Sequence, residues 1–258
     1  MKWAVLRRAC FSILYSNCSN LTFAVSTIWI DHKYGILVLV CIFINNINIY
    51  GKLRVSNGMK LREYSAGTVK QSFWFSEFRK VIHLLGQGMT LTDIKALNKE
   101  QNIFAAPTQE RATQIMNTIA IRAASLDASI YPLFEQSDVS TQKLIALVAI
   151  MQTDRLFFEF VYEVVREKMI VGSHELADSD IRIFFKEKQL QSDKVATWTE
   201  YTLKRLGRCY KTMLMAAGLT DRAPGSREIL KPILDPELES WLRKHGMDLM
   251  IHALTGVR

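Results

Sequence analysis

Residues 139–168 read VSTQKLIALVAIMQTDRLFFEFVYEVVREK. Their apolar side chains recur at three- and four-residue intervals, the period of a helix rather than the alternation of a strand. Leu144, Leu147, Val148 and Met151 fall on one side of a helix from Val139 to Met151. Asp154 to Lys168 carries Leu156, Phe157, Phe158, Phe160, Val161, Val164 and Val165. Rings this close together could form a stacking platform for bases. At helical spacing they belong instead to a core, and the two helices are read as the hydrophobic centre of the chain's second half.

The same period extends outward in both directions. On the N-terminal side, Tyr64–Gly67 reads as a loop, and a helix from Thr68 places Phe73, Trp74, Phe78, Val81, Ile82 and Leu85 inward until Gly86-Gln87-Gly88 stops it. Thr90 or Thr92 caps a short helix through Asn98 with Leu91, Ile94 and Leu97 inward. Pro107 occupies a first-turn position of a longer helix bearing Ala112, Ile115, Met116, Ile119 and Leu126. Three helices with a short middle one make either a helix-turn-helix-like unit or an ordinary three-helix cap.

On the C-terminal side, Gly172 ends the aromatic helix, and Asp178-Ser179-Asp180 opens another through Lys188 with Ile181, Phe184 and Phe185 inward. Ser192 or Asp193 caps the longest helix, 193–217, which Gly218 stops. Pro224-Gly225, Pro232 and Pro236 punctuate the tail. Ile229–Leu234 reads as a short strand or wing, and Glu237–Arg243 and Met247–Leu254 as closing helices. The expectation is an all-α protein of two helical domains, 59–135 and 136–258.

Residues 1–58 differ in kind. They contain no glutamate, six of the nine asparagines, and two apolar runs, Leu21–Ile30 and Tyr34–Ile44, split by Asp31-His32-Lys33. Neither run reaches the ~20 residues of a membrane span, so no membrane partner is expected. Three readings fit: a signal peptide with Arg7-Arg8 as its basic region, a short hairpin anchor, or an upstream extension of a chain that starts at Met59. The abrupt onset of a glutamate-bearing pattern after Met59 favours the third. Cys10, Cys18 and Cys41 lie in this segment and only Cys209 in the body. A body with one cysteine has no disulfide framework, which fits a reducing cytoplasm.

The net charge of +8 is unevenly spread: residues 1–58 carry +5 and the remaining 200 residues +3. Net charge therefore does not point to nucleic acid; a local patch has to. Helix 193–217 supplies one. At 100° per residue, Val195, Trp198, Thr202, Leu206, Cys209, Tyr210, Met213 and Leu214 form an apolar arc, which places Trp198 in the core. Lys194, Thr197, Tyr201, Lys204, Arg205, Arg208 and Lys211 form the opposing arc, with Glu200 as its acid. A solvated face ordinarily mixes Glu with Lys; this one is almost purely positive. Cations at this spacing can meet successive phosphates, and Thr and Tyr can donate to phosphate or sugar. About five neutralised phosphates would give a log–log salt slope near −4 to −5. The preceding helix to Lys188 and the turn Gln189–Ser192 complete the order short helix, tight turn, long basic helix of a DNA reader. A second basic set, Lys70, Arg79, Lys80, Lys95 and Arg111, lies in the N-terminal unit.

No catalytic constellation is visible. The five histidines are scattered, and no His, Cys or carboxylate group has metal-ligand spacing. Asp154-Arg155 and Asp178-Ser179-Asp180 look like cap chemistry. There is no phosphate-cradling glycine loop and no nucleophile elbow. A non-enzymatic protein without cofactor or metal is expected.

Several stretches, in order, carry a family likeness: Tyr64-Ser65-Ala66-Gly67; Ser72-Phe73-Trp74-Phe75-Ser76-Glu77-Phe78; Ser137-Asp138-Val139-Ser140-Thr141-Gln142-Lys143-Leu144; Thr153 through Glu163; and Ile233-Leu234-Asp235-Pro236-Glu237-Leu238. From about residue 61 onward the chain resembles BrxA, a small component of BREX bacteriophage-exclusion systems. The resemblance implies an all-helical protein with a helix-turn-helix-like first part, a NusB-like second part and DNA binding. It also implies companions: a DNA methyltransferase, a phosphatase-like protein, a large ATPase and a Lon-like protease-related protein. It gives no residue-level DNA site. Double-stranded DNA is the expected partner; RNA, or a scaffold role for the methyltransferase or ATPase, are the alternatives.

Overall fold

Capping chemistry sets where the helices begin. The computed structural model describes residues 62–223 and 225–257, so the three readings of residues 1–58 lie outside the described residues. A 3-10 turn (Gly67–Lys70) leads to α1 (Phe75–Gly86), α2 (Leu91–Gln101), α3 (Gln109–Ala123), α4 (Ile130–Gln136) and α5 (Val139–Thr153). Then α6 (Arg155–Phe160) runs through a π-helical turn (Val161–Val165) into α7 (Arg166–Val171). Strand β1 (Glu175–Leu176), α8 (Asp178–Gln191), α9 (Asp193–Ala196), α10 (Glu200–Ala217), strand β2 (Arg227–Glu228), α11 (Pro236–Lys244) and α12 (Asp248–Thr255) complete the order. The protein is all-α; its described strands are two residues each, paired antiparallel. Thr90 and Asp93 close a capping box on α2. Asp138, Asp154, Thr199 and Asp235 each accept backbone N–H groups at the starts of α5, α6, α10 and α11.

The centre lies where the opening stretch places it. Every residue from Leu144 to Met151 is buried, as is every residue from Leu156 to Tyr162. The Phe157 and Phe160 rings meet Tyr210 of α10 at 5.0 and 5.4 Å, and Phe160 meets Phe184 of α8 at 5.3 Å. These aromatics are core and form no stacking platform. Each fully buried large apolar side chain contributes about 1.5–3 kcal/mol. α1 packs on α3, α4 and α5 through Phe78, Val81 and Ile82, with Phe78 and Phe134 edge to face at 5.8 Å.

The same core holds charge. Glu159 and Lys188 are both fully buried and pair at 2.8 Å; Lys188 also meets Glu163 at 2.8 Å. Arg155 Nε donates to Glu159 at 2.7 Å, and the Tyr64 hydroxyl donates to Glu159 at 2.8 Å. Thr68 donates to the half-buried Asp154 carboxylate. Arg122, buried against the Ser72 and Phe73 carbonyls at 2.9 Å, has its guanidinium pushed down to about 10 by that burial. Burial also pushes Glu163 up to about 7, with Glu159 adding to the push and Lys188 opposing it. This network ties residues 64–73 to α3, α6 and α8. It also explains how Trp74 holds a left-handed φ of 50°: the Arg111 and Arg122 guanidinium groups lie over its ring at 5.0 and 5.7 Å.

Several boundaries differ from the sequence reading. The first helix starts at Phe75, because residues 67–70 take the tighter 3-10 turn. Thr108 caps α3 with its hydroxyl, leaving Pro107 one residue outside. Helix α8 continues through Gln191, so the turn expected at Gln189–Ser192 does not form. The helix expected over 193–217 is broken: Thr197 turns its hydroxyl back to the Lys194 carbonyl at 2.7 Å, and Thr199 caps a new helix by accepting from Thr202 N at 3.3 Å. Thr side chains compete in this way with helix continuation. Trp198, caught in the break, is half-buried rather than core. The strand expected over Ile229–Leu234 lies instead at Arg227–Glu228, with Ile229 only bridging Thr220.

Candidate nucleic-acid interface

Helix α10 exists because one of its faces is committed to the core. Leu206, Tyr210, Met213, Leu214 and Ala217 are buried at helical spacing, and Gly218 ends the helix in a left-handed turn at φ 85°. Gly207 lets α10 approach α8 closely: a Cβ there would stand 2.8 Å from Ile181 Cγ2. With the inner face fixed, the outer face follows. Tyr201, Lys204, Arg205 and Arg208, spaced at three, four and seven residues, are exposed in one stripe.

The seven expected contact residues separate into two groups. Arg208 has no ion pair among the described residues. Arg205 lies over the exposed Tyr201 ring at 5.7 Å and donates to the Val69 carbonyl at 3.4 Å. Lys204 meets Glu200 at 2.9 Å, and that contact holds the Glu200 carboxyl below its usual range; both side chains are well exposed. Such a pair is worth little and yields readily to a stronger anion. Lys194 and Thr197 stand across the helix break, so the 100° projection does not extend to them. Lys194 is held by Glu63 at 2.8 Å. Lys211 is largely covered, with 14% of its side chain exposed, and meets Asp178 at 2.5 Å. The acids that neutralise Lys194 and Lys211 come from other parts of the chain, so one helix read alone does not reveal them.

The stripe does not end with α10. Arg205 reaches the 3-10 turn, whose Lys70 is exposed. On the other side of the same turn, the Lys70 carbonyl accepts from Arg111 and Gln114 of α3 at 3.5 Å each. The 3-10 turn therefore joins the outer faces of α10 and α3. Lys70 and Arg111 belong to the second basic set of the sequence reading. Its other members behave differently: Lys80 is turned onto the Ile103 carbonyl at 2.7 Å, while Arg79 and Lys95 are exposed on α1 and α2.

Among the described residues no group of His, Cys, Asp and Glu could hold a metal ion. His245 stacks on Trp241 with ring centroids 4.0 Å apart and contacts the Trp241 carbonyl at 2.8 Å. Asp154 caps α6 and Asp180 accepts from Ala177 N at 2.7 Å, both as cap chemistry. No described helix is long and apolar enough to cross a membrane.

A family model described as BrxA matches residues 62–246. A Bacillus cereus (strain H3081.97) protein named BREX protein BrxA is 35% identical over 198 residues, covering 77% of this chain and 99% of that protein. A BREX protein BrxA of Escherichia coli O9:H4 (strain HS) is 24% identical over 157 residues, 61% of this chain and 73% of that protein. The crystal structure of an uncharacterized protein from Magnetospirillum magneticum has the same fold, with a TM-score of 0.65 at 15% identity over 76% of this chain and all of that one.

Proposed function

This chain belongs to the BrxA family, and from that premise we propose that it serves a BREX phage-exclusion system as a non-enzymatic protein that holds duplex DNA by its phosphates. The observation that carries the reading is the exposed stripe Tyr201, Lys204, Arg205 and Arg208 on α10, continued by Lys70 on the 3-10 turn. Phosphate neutralisation by Lys and Arg releases condensed counterions and supplies most of the affinity of a sequence-independent contact. Tyr201 adds a phenol that can donate to a phosphate oxygen.

The scaffold alternative needs docking surface on the aromatic helices, and Phe157, Phe158 and Phe160 are buried within the chain. In the proposed reading the methyltransferase, the phosphatase-like protein and the ATPase act beside a DNA-bound protein. Residues 59–135 and 136–258 supply the two sides of the contact, α3 with the 3-10 turn from one and α10 from the other. The helix-turn-helix-like and NusB-like characters of these halves belong to the same proposal.

The test is equilibrium binding of the full chain to a duplex DNA and to a structured RNA of equal length at matched salt. Tighter or comparable binding of the duplex is expected. RNA preferred by more than tenfold reverses the choice of nucleic acid, and no binding of either refutes the reading.

A further inference from the structure

The outer face of α3 is chemically unlike the face of α10. Thr113, Gln114, Asn117, Thr118 and Ile121 form a stripe without a single charge, and Ile121 is 54% exposed. A helix face that is merely solvated carries Glu and Lys at four-residue spacing; this one carries directional neutral donors and acceptors and bare methyl groups. Glu110, exposed at the N-terminal end of this face, is the acid next to the stripe, and its carboxyl is held below its usual range by its own backbone N–H and by Thr108. Asn117, at the middle of the stripe, has no side-chain hydrogen bond to any described residue. Gln114 beside it is oriented by Arg111 Nη1 on its Oε1 at 2.8 Å. Between this stripe and the 3-10 turn lies an open depression of about 710 Å³ lined by Lys70 and Gln71 of the turn, by Glu110 at the start of α3, and by the uncharged α3 stripe.

We infer that α3 reads A·T base pairs in the major groove of duplex DNA, with Asn117 as the principal reader, while Lys70 and the α10 stripe hold the backbone. The inference rests on the DNA-binding reading above and deepens it. An Asn amide offers one donor and one acceptor, the complement of adenine N7 and N6, and an exposed Ile beside Thr methyl groups suits the thymine methyl. A helix can present these groups to base edges only in a groove wide enough to admit it. The B-form major groove is; the deep, narrow major groove of an RNA duplex is not. The geometry on the chain side is fixed as well. The 3-10 turn bonds to α10 through Val69 and to α3 through Lys70, so the base-reading and phosphate-holding faces are set against one turn of four residues.

The experiment is selection of full-length protein on a randomised duplex library, followed by binding of the recovered and the unselected duplexes to the wild type, Asn117→Ala and Ile121→Ala. An enriched motif containing A·T pairs is expected. Asn117→Ala should lower affinity for that motif at least tenfold and affinity for unselected duplex less than twofold. Ile121→Ala should act in the same direction but less. Both positions are exposed, so unchanged melting temperatures should accompany these losses. Wild type that binds duplex without enriching any motif overturns the inference and leaves phosphate binding standing. Equal loss on both duplexes in Asn117→Ala overturns it too, since the residue then contacts only backbone. Wild type that binds no duplex removes both.

Discussion

Lys188 and the pair Arg205 and Arg208 sit on neighbouring helices of one bundle, yet they live in opposite environments. Lys188 is fully buried between Glu159 and Glu163. Arg208 stands in solvent, and Arg205 lies over the exposed Tyr201 ring and donates to a backbone carbonyl, with no ion pair among the described residues. Removing a buried ion from its partners is costly because the partner charge stays desolvated; removing an exposed ion costs almost nothing in stability. The contrast separates architecture from function within one residue type. Cations the fold has enclosed hold helices together, and cations it leaves outside are available to a polyanion.

The contrast breaks most visibly at Lys188. Lys188→Met should lower unfolding free energy by about 3–5 kcal/mol, read by denaturant titration, while the protein that stays folded binds duplex DNA as before. A loss under 1 kcal/mol would mean that the buried network is not structural. On the other side, the triple variant Lys204→Glu, Arg205→Glu, Arg208→Glu should weaken duplex binding by about 100-fold at moderate salt, roughly 2.7 kcal/mol. Its stability should change by about 0.5 kcal/mol or less per site. A destabilised triple variant would show that these side chains serve the fold after all.

Gly207→Ala probes the seam between the two regions. The new Cβ meets Ile181 Cγ2, and forcing α8 from α10 should cost about 1–3 kcal/mol, with binding affected only as far as the outer stripe tilts. A neutral or stabilising effect in thermal melts would mean that the two helices have room to separate.

A pH slope reads the buried network from its other side. Glu163 lies at about 7 in the folded chain against 4.5 unfolded, because burial disfavours its charge. Its contribution to stability is therefore fully present below about pH 4.5 and is lost as pH rises through 7, the reverse of an ordinary paired carboxylate. Lys188 faces it, with Glu159 and Glu187 nearby. The wild type should melt about 5–10 °C lower at pH 8 than at pH 5 from this group, roughly 2.5 kcal/mol, and Glu163→Gln should flatten the slope. Identical slopes in both proteins would remove Glu163 from the account.

Helical periodicity made the core readable because apolar burial is local in register: Leu144, Phe157 and Tyr210 announce their faces from spacing alone. The outer stripe was readable for the same reason, since Tyr201, Lys204, Arg205 and Arg208 share one unbroken helix. What could not be read is tertiary. Nothing near Lys211 in sequence supplies Asp178, nothing near Lys194 supplies Glu63, and Lys188 looked like an ordinary helix-end lysine until three helices enclosed it. The break at Thr197–Thr199 was legible in principle, because two threonines flanking Trp198 carry capping chemistry that the apolar period overrode. The α3 stripe is not legible in the sequence, because Asn117 and Thr113 carry neither the charge nor the apolar period that marks a helix face.

The salt dependence of duplex binding tests the central claim most directly. With Lys194 and Lys211 engaged by Glu63 and Asp178, three to four cations remain, and log Kd against log salt for the full chain should have a slope of about 3 in magnitude. In the triple variant the magnitude should fall below about 1. Equal slopes for the two proteins would contradict the assignment of the α10 stripe as the phosphate-holding surface.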